Sequence, residues 1–514
     1  MDRTHRLIET VIILCGIGFS PSGWASHAFY VGAELTADHN ILIGGTGEEV
    51  SSHWLDIVPA ADHKPDETVS VGVTDQAEIP GRLREIPQVA HTFRYITMSY
   101  SDYEGFLPPL TNGGVNEHQV VVRDVWAPNR QALIDRTPTP QSGPQYSDLA
   151  RLVLQRATTA REGVALIGRL IERYGYSTYG GNTHLIADPN EAWVVWEFAG
   201  GQKLWAAERL KSNEVRVLYP GYIEDFPRDF ENDPNYMGAP NLITFAENKG
   251  WWDVDSNTPF NLFEVYGQQD AKARTGGFKY VTQAELEHAT RDMAPVTEAD
   301  MMTRLRDARI SDDEAGNGQV ISLEPNLDSD LIRIWIAPIG AVAAPFVPWW
   351  LGVQSVPMSY GQHRYMTRDS GSSFLNPDFA AQEATDFVGR IYKQVLYGLC
   401  ERPDVFKTPV QRMLRGFERQ SRDDLGWVET SAQTLIEQGR RPQARQLLTY
   451  YSNSRADDAL SLGRTLADSI NTYSRLVGGV RRPKDDRINA QGAETTVNCL
   501  IGADPDQPKP APPE

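Results

Sequence analysis

The chain has 514 residues, 40% of them hydrophobic and 10% aromatic, enough to bury a large core in one or two domains. Its 49 Lys and Arg stand against 68 Asp and Glu, and the resulting net charge of −19 argues against nucleic acid or an anionic membrane surface as the main partner. The ten His form no HExxH and no CxxC occurs, so no metal or other cofactor is implied.

Residues 1–25 have the layout of a secretory signal peptide. Arg3 and Arg6 precede the apolar stretch Val11–Phe19, then come Pro21 and small residues, Gly23 and Ala25, at the −3 and −1 positions of a cut. That apolar stretch is too short for a permanent membrane helix. Cleavage after Ala25 would deliver a secreted or periplasmic protein whose first residue is Ser26. A serine at a free N-terminus holds its hydroxyl beside an amine with a pKa of about 7.7–8.0. One residue then supplies both nucleophile and general base.

From Ser26 to about Ile43 the pattern is strand, turn, strand: Ala28-Phe29-Tyr30-Val31-Gly32, the polar turn Thr36–Asn40, then Ile41-Leu42-Ile43-Gly44-Gly45. β-Branched and aromatic residues around an Asp/Asn turn predict a hairpin, with the new N-terminus opening a central strand. Further strands are expected at Thr68–Val73, Thr92–Ser99, Gln119–Arg123 and His184–Phe198. Apolar positions from Leu149 to Ile171 recur at helical spacing and predict one helix over Ser147–Tyr174, capped by Ser147 and stopped at Gly175. Shorter helices are expected at Asn241–Lys249 and Glu298–Asp307.

Leu331–Val353 is the most apolar later stretch, but Arg333, Pro338, Pro345 and Pro348 break it, so it reads as buried strands and turns rather than a membrane span. From about Pro377 to Val477 apolar and charged positions alternate at helical spacing, and Asp504–Glu514 is Pro- and Asp-rich and reads as disordered. Cys15 leaves with the signal. Cys400 and Cys499 then either pair or remain two buried thiols. The expected division is a signal at 1–25, a sheet-rich domain at 26–370, a helical region packed on it at 371–503 and a tail at 504–514. Strands first, with helices between and after them, suggest α+β layers rather than an alternating parallel fold.

Ordered motifs support a resemblance. Ser26-His27-Ala28-Phe29-Tyr30-Val31-Gly32 leads to Ala37-Asp38, and Gly114-Val115-Asn116-Glu117 follows. Then come Thr159-Ala160-Arg161-Glu162-Gly163, Ala192-Trp193-Val194-Val195-Trp196-Glu197, Phe245-Ala246-Glu247 and Phe260-Asn261. In this order they resemble the peptidase family C69 dipeptidases, which are N-terminal nucleophile hydrolases related to choloylglycine hydrolases. The resemblance implies an αββα sandwich and a substrate class of dipeptides or other small linear amides. It puts Ser26 where the family has its nucleophilic Cys. It also makes Asn116 the expected oxyanion donor, a role worth about 2.7–4 kcal/mol on the barrier.

The chain departs from the family at four places. The family carries Arg and then an acidic residue after the first hairpin, whereas here stand Gly45-Thr46-Gly47-Glu48, leaving Glu48 to hold or orient the α-amine. Tyr219 precedes Pro220 where the family has a site Asn, and Ser replaces Cys at the nucleophile. The family's later substrate-side Arg has only Arg274 as a counterpart. The expected function is a secreted, Ser-type amide hydrolase built on Ser26, Asn116, Glu48 and Tyr219. The rival is a degenerate member that binds a ligand or protein without turnover. Monomer and homo-oligomer both stay open.

Overall fold

The computed structural model describes residues 26–48, 53–100, 104–256, 258–268, 281–311, 315–361, 387–478 and 500. The signal-like segment, Cys15, Arg274, the expected boundary at 370, Cys499 and the acidic tail lie outside these residues, as does the side chain of Glu48.

Two antiparallel sheets form the body. The first contains β1 (His27–Val31), β2 (Ile41–Glu48), β10 (Val215–Leu218), β12 (Ala315–Leu323), β13 (Arg333–Ala337) and β14 (Val347–Trp350), in the order β10-β1-β2-β12-β13-β14. The second runs β11-β9-β8-β7-β6-β5-β4-β3. Its strands are β3 (His53–Val58), β4 (Tyr95–Tyr100), β5 (Leu110–Asn116), β6 (Val121–Trp126), β7 (Asn182–Ala187), β8 (Ala192–Glu197), β9 (Trp205–Arg209) and β11 (Tyr236–Gly238). The hairpin read in the sequence is β1–β2, with Ala28 opposite Gly45 and Val31 opposite Leu42. Because β10 pairs with its other edge, β1 is an interior strand.

Consecutive glycines in β2 reveal the layer order, since successive Cβ directions along a strand alternate between faces. A Cβ on Gly44 would meet Met301 in helix α4 (Glu298–Arg304), whereas one on Gly45 would meet Arg123 of β6. One face of the first sheet is thus covered by helix and the other by the second sheet. Helix α3 (Gln283–Arg291) packs on β10 beside α4. On the far side α1 (Tyr146–Arg156) lies over β5 and β6, and α2 (Ala160–Tyr174) over β7 to β9. The body is an α+β, helix–sheet–sheet–helix sandwich.

The long helix expected over Ser147–Tyr174 is two helices. Thr159 starts the second one by accepting a hydrogen bond from Glu162 N, and Asp188 takes the N–H of Ala160. These partners satisfy the exposed donors of a new N-terminus, so breaking at residues 157–159 costs little. The first helix is capped by Gln145, not Ser147, whose hydroxyl instead accepts from Thr111 N of β5. Gly175 stops the second helix at φ +90°, a conformation that favours glycine. The strand expected over His184–Phe198 is the β7–β8 hairpin, turned at Asp188–Glu191.

Three further helices, α5 (Val388–Glu401), α6 (Pro403–Glu437) and α7 (Arg441–Gly478), pack together, with α6 and α7 against β14. Ion pairs fasten them to the sandwich. Arg306 reaches Glu418 at 2.5 Å with both side chains buried, and Asp330 gathers Arg94, Arg441 and Arg445 at 2.7–2.8 Å. Cys400 in α5 is disulfide-bonded. Among the described residues no helix is long and apolar enough to cross a membrane.

Candidate functional site

The head of β1 is where the sequence-derived candidates should meet. Ser26 is half-buried and stands one residue ahead of His27, whose N–H donates to Thr46 Oγ1 at 3.1 Å. By strand alternation Ser26 shares the face of Ala28, the face that looks toward the second sheet. His27 and Tyr219 share the opposite face, where their rings stack with centroids 4.2 Å apart and planes 25° off parallel. Tyr219, only 1% exposed, thus braces the strand that carries Ser26 from behind. Glu48 ends β2 with its backbone opposite Ala315 of β12.

Asn116 does not join this group. Its amide nitrogen donates to Leu154 O at 3.0 Å and Ala157 O at 2.8 Å, and its amide oxygen accepts from His118 N at 3.0 Å and Val120 N at 2.9 Å. Leu154 and Ala157 end α1, so the side chain ties β5 to the helix layer on the far side of the second sheet. The expected oxyanion role is corrected on geometry: both amide hydrogens are spent on orphan helix carbonyls, and the side chain is fully buried there. The motif identifies a residue that the fold needs, and the sequence alone does not show which way its amide turns.

The space that an Arg at position 45 would use is already filled. A Cβ on Gly45 would lie 2.5 Å from His27 O and 2.9 Å from Arg123 Nε, so only glycine fits. The guanidinium of Arg123 enters from β6, in the other sheet, and its Nη2 donates to Thr46 O at 2.7 Å. Burial pushes Arg123 down to about 10, against the opposing pull of Asp124. Its Nε and Nη1 have no hydrogen-bond partner among the described residues. One residue along β2, a Cβ on Gly47 would lie 2.5 Å from Asn317 Nδ2 and 2.6 Å from Asn112 Oδ1. Asn317 faces Gly47 across the β2–β12 pairing, its Oδ1 accepts from Gln319 Nε2 at 3.2 Å, and its Nδ2 is likewise without a partner among the described residues. His53 Nε2 lies 3.3 Å from Asn112 Oδ1.

Arg123, Asn317 and Asn112 were not among the residues singled out in the sequence. The available signal was the run of small residues Gly44-Gly45-Thr46-Gly47, which leaves room for side chains from other strands. A second buried polar group also went unread. Asp124 and His184 are opposite one another on β6 and β7, and His184 Nδ1 lies 2.7 Å from Glu197 Oε1. Burial would lower His184, but the Glu197 charge overrides it and holds it up, while burial raises Glu197 itself. His184 Nε2 meets Tyr146 O of α1, so this group belongs to the helix-facing side and not to Ser26. Two cavities open elsewhere, the larger about 240 Å³ and lined by Arg412, Arg415, Arg419 and Arg422.

Chemically, strand register puts Ser26 on the face of the first sheet that the buried, unmatched donors of Asn317 and Arg123 line. Comparison with known proteins agrees with the resemblance read in the motifs: residues 86–283 match peptidase family C69. The "Probable dipeptidase B" of Streptococcus pyogenes serotype M3 is 24% identical over 266 residues, covering 49% of this chain and 48% of that protein. A "Dipeptidase" of Bifidobacterium longum is 30% identical over 172 residues, covering 30% and 31%. The chain therefore spans about half, or less, of the length of these curated relatives. A solved variant of conjugated bile acid hydrolase from Clostridium perfringens is 10% identical with a TM-score of 0.31, covering 61% of this chain and 89% of that one.

Proposed function

From the kinship with peptidase family C69 over residues 86–283, we propose that this protein is a secreted or periplasmic hydrolase of dipeptides or similar small linear amides, with Ser26 as its nucleophile. Removal of residues 1–25 would free the Ser26 amine. That amine would take the hydroxyl proton as Oγ attacks the scissile carbonyl carbon. Collapse of the tetrahedral intermediate breaks the C–N bond, the proton passes to the leaving amine, and an ester remains on Ser26. Water, activated by the same amine, then releases the acid.

The observation that carries this reading is the placement of Ser26 at the head of an interior strand. β1 is paired on both edges, and its first turn of chain is held by Thr46 and by the Tyr219 ring stacked on His27. A catalytic terminus must be fixed to within a fraction of an ångström, and a strand held on both sides provides that. The missing Arg at position 45, which favoured a degenerate binding protein, loses its force because Arg123 brings a guanidinium to the same space.

The test is direct. N-terminal sequencing of the secreted protein should return Ser-His-Ala-Phe, and Ser26→Ala should abolish turnover across a panel of dipeptides and acyl amides. An electrophilic amide mimic should label Ser26, as mapped by mass spectrometry. A mature start at another residue, or activity that survives Ser26→Ala, overturns the mechanism. A correctly processed protein with no turnover on any substrate supports the binding reading instead.

A further inference from the structure

We infer that Asn317, rather than Asn116, donates to the oxyanion formed when Ser26 attacks a carbonyl, with the Arg123 guanidinium behind it as the fixed positive charge. This rests on the reading of Ser26 as nucleophile.

The register of three strands brings these groups together. β1 pairs with β2 as far as His27 and Thr46, so the next residues in line are Ser26 and Gly47. Across the other edge of β2, Gly47 stands opposite Asn317. Side chains directly opposite in a sheet begin about 4.5–5.5 Å apart and point to the same face. Gly47 has none, and Asn317 Nδ2 lies 2.5 Å from where its Cβ would be. The amide thus leans across Gly47 toward Ser26, within reach of an oxygen on a carbon bonded to the Ser26 hydroxyl. Gln319 holds the amide oxygen at 3.2 Å, which turns the nitrogen outward.

Both donors are buried, Asn317 at 0% and Arg123 at 1% exposure, and both keep nitrogens without partners among the described residues. Such groups are costly in a resting protein unless a water or a ligand meets them. Asp124, the nearest acid in sequence, stands opposite His184 and hydrogen-bonds Asn112, and its pull on Arg123 is outweighed by burial. Negative charge arriving between the sheets would meet an amide and a guanidinium already in position. That is the form of electrostatic stabilisation that acts on the transition state. As Ser26 Oγ bonds to carbon, the carbonyl π pair moves to oxygen and the Oγ proton to the α-amine. Asn317 Nδ2–H bonds that oxygen, and the charge returns to the carbonyl when the C–N bond breaks.

Asn317→Asp is the informative substitution. It keeps the shape and the oxygen for Gln319, puts a carboxylate on the face that Arg123 lines, and removes the donor. In the mature protein, with a dipeptide that the wild type turns over, kcat should fall about 10²–10³-fold with KM changed less than about threefold and no loss in melting temperature. A dipeptide aldehyde, which forms a tetrahedral adduct with Ser26, should bind more weakly by the same factor. Arg123→Lys should retain more activity than Arg123→Gln. Wild-type kcat in Asn317→Asp overturns the inference, as does a fall in kcat with unchanged aldehyde binding. If Ser26→Ala is itself active, the nucleophile reading fails. If Ser26→Ala is inactive and Asn317→Asp is not, only the present inference fails.

Discussion

Asn116→Ala separates a structural residue from a catalytic one. The side chain makes four hydrogen bonds to backbone groups, those of Leu154, Ala157, His118 and Val120. His118 is exposed, so water can replace that partner. Leu154, Ala157 and Val120 are 0–1% exposed and would be left with an orphan carbonyl or N–H. At about 1–3 kcal/mol for each of these three buried groups left unpaired, the loss comes to roughly 3–9 kcal/mol, a large share of the 5–15 kcal/mol that holds a typical domain. Asn116→Asp should cost more, because its carboxylate would face the Leu154 and Ala157 carbonyls. Urea unfolding followed by tryptophan fluorescence measures the stability, and kcat per folded molecule measures the chemistry. The expected result is a sharply lowered midpoint with near-normal kcat in the fraction that remains folded. A wild-type midpoint with kcat down about 10²–10³-fold would restore Asn116 as the oxyanion donor and refute the reasoning.

Three other predictions concern the frame. Burial alone would raise the Asp330 carboxyl, but hydrogen bonds from Arg445, Arg441 and Arg94 win and hold it down at about 2, against an ordinary 3.8. Its stabilisation, roughly 2–3 kcal/mol, should be complete above about pH 4 and disappear as pH falls toward 2, and Asp330→Asn should flatten that limb of the stability–pH curve. Glu418→Ala strands the buried Arg306 and the N–H of Phe346, so a loss of about 3–5 kcal/mol is expected in thermal melts, with the double replacement of Arg306 and Glu418 by Met recovering most of it. Gly45→Ala forces a Cβ to within 2.5 Å of His27 O, and should cost about 1–3 kcal/mol together with a loss of turnover as the head of β1 shifts.

Some of this was legible in local pattern. The Thr36–Asn40 turn between two β-rich runs gave the β1–β2 hairpin, and apolar spacing gave helix where α1 and α2 stand. The break between those helices was missed because the periodicity runs straight through Ala157-Thr158-Thr159. Yet Thr159-Ala160-Arg161-Glu162 is a helix-start pattern, with a hydroxyl three residues before an acid. The strand β12, with Asn317, was not anticipated: Gly316 and Gly318 dilute the β-rich pattern that marks a strand.

By itself the sequence determined the order of elements, the acidic surface, and the serine placed behind a signal-like segment, since these depend on neighbours in the chain. It also registered correctly that no Arg stands at position 45. Only the tertiary structure decided what that absence means. Arg123 and Thr46 are 77 residues apart, and their 2.7 Å contact exists because two sheets stack face to face over a strand made of glycines. The same stacking turns Asn116 toward the helices and Asn317 toward Ser26. Which face a side chain occupies follows from register, and register is set by partners that the local sequence does not contain.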